Sequence, residues 1–393
     1  MNRTKSLVTW TVFALLLLAL FDRWAVSAEP EAAYAWNLPK GFPKPYVPAN
    51  NPMTAAKVEL GRYFFYDTRM SVNGKASCAT CHKQELAFTD GRAVGVGATG
   101  ELHSRSAMSL VNVAYSAALT WSNPQMKSLE EQALTPMFGE HPVELGLREG
   151  DAFLPMLRSD PKYQALFERA FPSDADRFSI SNVTKAIASF ERSIISARSP
   201  YDRYHYDRDD SAISDSAKRG EILFFDQRLS CFRCHGGFTI GDVTVSERDV
   251  MRDVEREGER HIEFHNTGLY NVPGLLSYPA PNVGIYEYTK ALEDVGKFKA
   301  PTLRNIALTA PYMHDGSIPT LEGVLDHYAS GGRKIASGPY AGNGHDNPNK
   351  DPLIGGFVLS PQDRDDLIAY LKSVTDEAVL HDPRFSNPWP LTK

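Results

Sequence analysis

Apolar positions along this chain follow a helical period far more often than an alternating one. Val183, Ile187, Phe190 and Ile194 are spaced to lie on one face of a helix over 181–196. Near the other end, Ser360-Pro361-Gln362-Asp363 has the form of an N-cap, a first-turn proline and an acidic first turn. Leu367, Leu371 and Val374 then continue one apolar face. Leu321, Val324, Leu325 and Tyr328 share a face in the same way. Long strand-like alternation is scarce, and Gly and Pro punctuate the connections, so the pattern predicts an all-α fold.

A repeat divides the chain. Gly61-x-x-x-Phe65-x-Asp67-x-Arg69-x-Ser71 recurs in register as Gly220-x-x-x-Phe224-x-Asp226-x-Arg228-x-Ser230. Each copy leads into a Cys-x-x-Cys-His pentad: Cys78-Ala79-Thr80-Cys81-His82 in the first, Cys231-Phe232-Arg233-Cys234-His235 in the second. The first copy inserts six residues, Val72 to Ser77, before its pentad, and the two pentads use all four cysteines. That spacing is the attachment signature of haem c, with each cysteine pair bonded to the porphyrin and the adjacent histidine placed as an iron ligand. A split zinc site would not call for a histidine after each pair, and redox Cys-x-x-Cys motifs would want a βαβ context. The pentads therefore imply two covalent haems, in two tandem cytochrome c-type domains, 29–199 and 215–393, joined by a linker at 200–214.

The N-terminus suits this chemistry. Arg3 and Lys5 precede an apolar run of 15 residues, Leu7 to Phe21, and Val26-Ser27-Ala28 offers a cleavage site. The run is shorter than the ~20 residues needed to cross a bilayer. A signal peptide at 1–28 is therefore expected, with export to the periplasm and no stable membrane insertion after cleavage. Removing Arg3, Lys5, Arg23 and Asp22 takes the formal charge from −6 to −8. An acidic chain argues against nucleic acid. Residues 247–263 hold seven acids and four arginines at every fourth position, the pattern of a solvated helix.

The stretch Phe298-Lys299-Ala300-Pro301-Thr302-Leu303-Arg304-Asn305, then Leu308-Thr309-Ala310-Pro311-Tyr312-Met313-His314-Asp315-Gly316 and Thr320-Leu321-Glu322, carries a resemblance. With the two pentads, it resembles the bacterial di-haem cytochrome c peroxidase and MauG family over nearly the whole mature chain. The resemblance implies an enzyme that reacts with hydrogen peroxide. Where the peroxidases place a methionine on the second haem's iron, this chain has Tyr328, as in MauG-type members; Met313 and then His327 are the alternatives. The stretch Leu129 to Pro136 followed by Val143-Glu144 is similar to the family's distal pocket. It implies Gln132, Pro136 and Glu144 over the first iron, with Glu144 as the general base. Two extra residues between Pro136 and Glu144 leave Glu140 and His141 as rivals. Nothing in Arg105-Ser106-Ala107-Met108-Ser109 aligns with the histidine that must leave the first iron of many peroxidases, and His103 lies too close to Arg105. The resemblance thus implies a first haem held by His82 alone.

By the same resemblance, Trp121 would lie between the haems and carry oxidising equivalents, and Arg304 would pair with a haem propionate. Calcium would bind the backbone oxygens of Thr309 and Pro311, with Ser106 replacing the usual asparagine. The tyrosine position and the Pro-Tyr-Met-His-Asp-Gly-Ser wording are nearest the MauG-like branch that includes MbnH. The implied function is a bis-Fe(IV) state formed with peroxide, then oxidation of a tryptophan towards kynurenine on a secreted partner of MbnP type. The rival is an ordinary di-haem peroxidase drawing electrons from a soluble cytochrome or cupredoxin.

Overall fold

The structure is a computed structural model. It describes residues 34–390 apart from 149, 242–243, 245, 247–262 and 275. The expected signal peptide and almost all of the charged run, with Met251, lie outside the described residues. Among the described residues no helix is long and apolar enough to cross a membrane.

The described residues from Trp36 onwards form one compact unit. Two long helix pairs organise it. Helix Ala55–Tyr66 crosses Ile180–Ser193, and helix Asp215–Phe224 crosses Pro361–Ser373. The second member of each pair follows the predicted pattern. Ser179 caps the first through its hydroxyl, and Val183, Ile187, Phe190 and Ile194 are at most 2 % exposed. Ser360 and Asp363 form a reciprocal cap before Pro361, with Leu367, Leu371 and Val374 buried.

The repeat has a structural meaning in every shared letter. A Cβ on Gly61 would stand 1.9 Å from the Ala186 carbonyl oxygen, and one on Gly220 would stand 1.9 Å from that of Asp366. Glycine is what lets each helix pair touch backbone to backbone. Phe65 and Phe224 are buried one turn on. Asp67 and Asp226 then turn the chain by accepting the backbone N–H of Arg69 (2.9 Å) and Arg228 (2.6 Å). Ser71 and Ser230 close the turn by donating to the carbonyls of Thr68 (2.9 Å) and Gln227 (2.7 Å).

One expectation needs correction. The regular structure is not purely α-helical, because Phe264–His265 pairs antiparallel with Phe298–Lys299, and Lys334–Ile335 with Gly342–Asn343. Strands of two residues are too short to leave an alternating pattern. The 200–214 stretch, expected as a linker, begins with a helix. Helix Pro200–Tyr206 opens with a reciprocal Ser199–Asp202 cap and buries Tyr201 and Asp202.

Candidate functional site: two histidine–cysteine centres

Cys78–Cys81 forms a single helical turn capped by Ser77 and Thr80, and delivers His82 at its end. The His82 Nδ1 bonds to the Phe88 carbonyl oxygen at 2.9 Å, and the His235 Nδ1 bonds to that of Pro301 at 3.1 Å. A hydrogen bond of this kind holds the imidazole orientation and leaves Nε2 for a metal. Burial lowers the pKa of both histidines, that of His235 to about 4, so each ring is held neutral as a ligand must be. The four cysteines are unpaired. At both centres the donor set fits haem c.

Around His82 backbone hydrogen bonds draw distant segments together. The inserted Val72 donates its N–H to the Leu145 carbonyl at 2.8 Å, and Ala98 donates to that of Glu144 at 2.6 Å. Leu145 and Leu147 in turn donate to Pro136 and Met137, both at 2.9 Å. These bonds pin Glu144 beside the first pentad, where its charge would act on both Cys78 and Cys81. Burial alone raises the Glu144 carboxyl from the ordinary 4.5 to about 7. Its two rivals sit elsewhere: Glu140 and His141 are exposed on the turn closed by the Glu140–Val143 bridge. Gln132 ends the short Leu129–Gln132 helix and is half-buried, as is Pro136 in the following turn.

A second carboxylate at this centre escaped the sequence reading. Glu191 is 6 % exposed, its Oε2 has no hydrogen-bond partner, and burial raises it to about 8 beside Cys78. The signal was present, since Glu191 stands four residues after Ile187 and three before Ile194, on the apolar stripe of its helix.

The second centre opens on a cavity lined by Cys231, Cys234, His235, Trp121, Met313 and Tyr328. Leu321, Val324 and Leu325 line it as well, so the helical face marked in the sequence is the one turned to the cavity. Tyr328 is half-buried in this wall, and burial lifts its phenol far above its usual range. His327 points away, buried against the Thr267 backbone and absent from the lining. The Trp121 indole N–H donates to the Ser106 carbonyl at 2.9 Å, and the Ser106 hydroxyl to that of Met313 at 3.2 Å. Thr309 and Pro311 also line the cavity. Met108 and Asp90 belong to its wall and stand beside His82 too, so one wall serves both centres.

Two residues of this centre depart from, or add to, expectation. Arg304 is not free for a propionate: its Nη1 lies 2.7 Å from each carboxylate oxygen of Asp202, its Nε donates to Phe238, and it does not line the cavity. A buried guanidinium needs its counter-charge inside the protein, and Asp202 supplies it. His265, unmarked in the sequence, bonds Asp351 at 2.6 Å and reaches Cys234. Burial is the largest influence and opposes its charge, but the hydrogen bond and charge of Asp351 together with Cys234 outweigh it and lift its pKa to about 10.

Comparison with known proteins agrees with this arrangement. Residues 55–211 match the di-haem cytochrome c peroxidase family, and 297–330 match the RoxA-like, cytochrome c-like family. A cytochrome-c peroxidase IdrP1 of Pseudomonas sp. is 33 % identical over 97 % of this chain and 96 % of its own length. The methylamine utilization protein MauG of Methylorubrum extorquens is also 33 % identical, over 84 % of this chain and 81 % of its own. The solved structure of a MauG-like protein associated with microbial copper homeostasis is 44 % identical, with a TM-score of 0.86, covering 91 % of this chain and 100 % of that one. With two half-buried histidines, two pairs of free thiols and relatives that span nearly its full length, this chain belongs to the di-haem cytochrome c peroxidase/MauG family of oxidoreductases, whose cofactors are c-type haems.

Proposed function

We propose that this oxidoreductase works in the periplasm, where it uses hydrogen peroxide to oxidise a tryptophan, towards kynurenine, on a secreted partner protein of MbnP type. The observation that carries the proposal is Tyr328 in the cavity wall with His235. A phenolate is a hard, anionic ligand that favours higher iron oxidation states, whereas a thioether favours acceptance of electrons from a donor protein. When attached, the haems supply peroxide activation and storage of its two oxidising equivalents.

The chain's own residues supply the rest. Glu144, half-protonated near neutrality, is suited to accept a proton from peroxide and return it to the departing oxygen. Gln132 and Pro136 shape the same pocket. Trp121, on the wall of the second cavity and fixed through its indole N–H, is the route between the two centres. Calcium at the Thr309 and Pro311 carbonyls is part of the proposal, with Ser106 as the neighbouring oxygen. The likeness to a MauG-like protein associated with microbial copper homeostasis supports a role in that setting.

The test compares the wild-type holoprotein with Tyr328→Met. With peroxide, the wild type should oxidise tryptophan in a co-purified MbnP-type protein, read by peptide mass spectrometry, and turn over reduced soluble cytochrome c slowly. Tyr328→Met should keep its haems, lose tryptophan oxidation and gain cytochrome c turnover. Rapid cytochrome c oxidation by the wild type, with the tryptophan untouched, would leave an ordinary peroxidase.

A further inference from the structure

A file of aromatic rings leads from the second cavity to the surface. His314 stacks on Phe298 with ring centres 3.6 Å apart and planes within 10°, and both line the cavity. Tyr278 stands 6.1 Å from Phe298 and 6.2 Å from His314, within the electrostatic reach of Tyr328. Tyr270 lies 5.4 Å beyond Tyr278, and Tyr340 lies 5.6 Å beyond Tyr270. Tyr278 and Tyr270 are 5 % and 6 % exposed, whereas Tyr340 is 46 % exposed.

The backbone is built to keep the last two rings together. Tyr340 belongs to the hairpin between Lys334–Ile335 and Gly342–Asn343. A Cβ on Gly342 would come 2.0 Å from the Asn271 carbonyl oxygen, so glycine lets the hairpin press onto the residue after Tyr270. Asn271 fixes it there by donating to the Asn343 carbonyl at 3.1 Å.

A second, independent observation concerns protons. The Tyr270 hydroxyl donates to Asp315 Oδ2 at 2.6 Å, and Asp315 is oriented by the Ser317 N–H at 3.0 Å. A buried phenol that loses an electron becomes strongly acidic and needs an acceptor at hydrogen-bond distance. A carboxylate within 2.6 Å takes the proton and can return it.

We infer that Tyr278, Tyr270 and Tyr340 form a relay that carries oxidising equivalents from the second haem centre to an oxidisable aromatic side chain of a protein presented at Tyr340. This rests on the functional reading above only for the identity of that final donor. In each passage Tyr270 gives one electron, through Tyr278, to the peroxide-oxidised cofactor, and its phenolic proton moves to Asp315. Tyr340 then returns an electron to Tyr270, which recovers its proton, while Tyr340 releases its own proton to water. The outside donor restores Tyr340 with one electron, and water restores the proton. Two passages deliver the two electrons that reduce one hydrogen peroxide to two waters; the two protons that reaction consumes come from solvent, which the oxidised donor resupplies as it loses its own.

The experiment needs no protein substrate. In the peroxide-treated holoprotein alone, neutral Tyr340 radicals on two molecules should couple, forming an ortho C–C bond while the two ring hydrogens at the joined carbons pass to the phenolic oxygens. A covalent dimer with dityrosine fluorescence is expected, and the cross-linked peptide should contain Tyr340. Tyr340→Phe should abolish the dimer. Tyr270→Phe and Asp315→Asn, with haem loading confirmed from the Soret band, should lose most of it together with the tyrosyl signal in freeze-quenched electron paramagnetic resonance. Cross-linking through exposed Tyr288 or Tyr46 with Tyr340 intact would overturn the relay, as would an unchanged radical signal in Tyr270→Phe. If the dimer forms through Tyr340 but a partner's tryptophan is never oxidised, the relay stands and only the functional reading falls.

Discussion

The Arg304 guanidinium lies 2.7 Å from both carboxylate oxygens of Asp202, and the two side chains are 0 % and 4 % exposed. The pair ties helix Pro200–Tyr206 to the segment after Pro301, beside the Pro301 carbonyl that orients His235. Arg304 also lies over the Phe42 ring, 4.9 Å from its centroid.

Removing one partner strands a buried charge. Asp202→Ala should therefore cost about 3–5 kcal/mol in urea unfolding of the holoprotein. An Asp202→Asn, Arg304→Met double variant should recover much of that loss. Equal stability of the wild type and Asp202→Ala would show that the pair holds nothing together.

Glu144 should govern the reaction with peroxide. Its carboxyl is raised by burial to about 7, so the ionised base is lost as pH falls through that value and fully present above it. The second-order rate of peroxide reaction, followed at the Soret band, should rise with pH to a plateau above about 7. Glu144→Gln should remove the pH step and lower the rate by about 10²–10⁴-fold. Glu140→Gln should leave both unchanged, because that side chain is exposed on the turn.

Glu191 makes a prediction about stability instead. Its folded pKa, about 8, lies above the ordinary 4.5 because burial penalises the charge. The folded protein holds a proton that the unfolded chain releases, so stability falls as pH rises from about 4.5 to about 8. The slope for one such group is at most ~1.4 kcal/mol per pH unit. Glu191→Gln should flatten the decline of unfolding free energy between pH 5 and 8. A parallel decline in that variant would assign the effect to other groups.

The two repeat glycines should fail alike. Gly61→Ala and Gly220→Ala each drive a methyl to within 1.9 Å of a carbonyl on the facing helix. Each should cost about 1–3 kcal/mol or more, because neither helix backbone can yield without moving its partner. Thermal unfolding of the two variants, with haem content measured, checks the equivalence. A harmless Gly220→Ala would mean that the second helix pair is not held at that crossing.

Much of this arrangement was legible in the chain, because its causes are local. Cysteine and histidine at fixed spacing, caps such as Ser360–Asp363 and stripes such as Val183 to Ile194 act within a few turns of backbone, where neighbours in sequence are neighbours in space. The repeat is legible for the same reason, since Asp67 and Asp226 fold back on residues two positions away. The Tyr328 face was equally open to inspection, through its helical spacing from Leu321, Val324 and Leu325.

Contacts between distant segments were not. Glu144 reaches the first pentad only through the bonds of Val72 to Leu145 and of Ala98 to Glu144. Arg304 finds Asp202 across 102 positions, and His265 finds Asp351 across 86. A buried charge is neutralised by whichever opposite group the packed backbone brings within reach, and that choice is made when the helices cross at Gly61 and Gly220, not by spacing along the chain. Local order and covalent chemistry were therefore set by sequence neighbours, and the pairing of charges and rings around the two centres by the packing of the whole molecule.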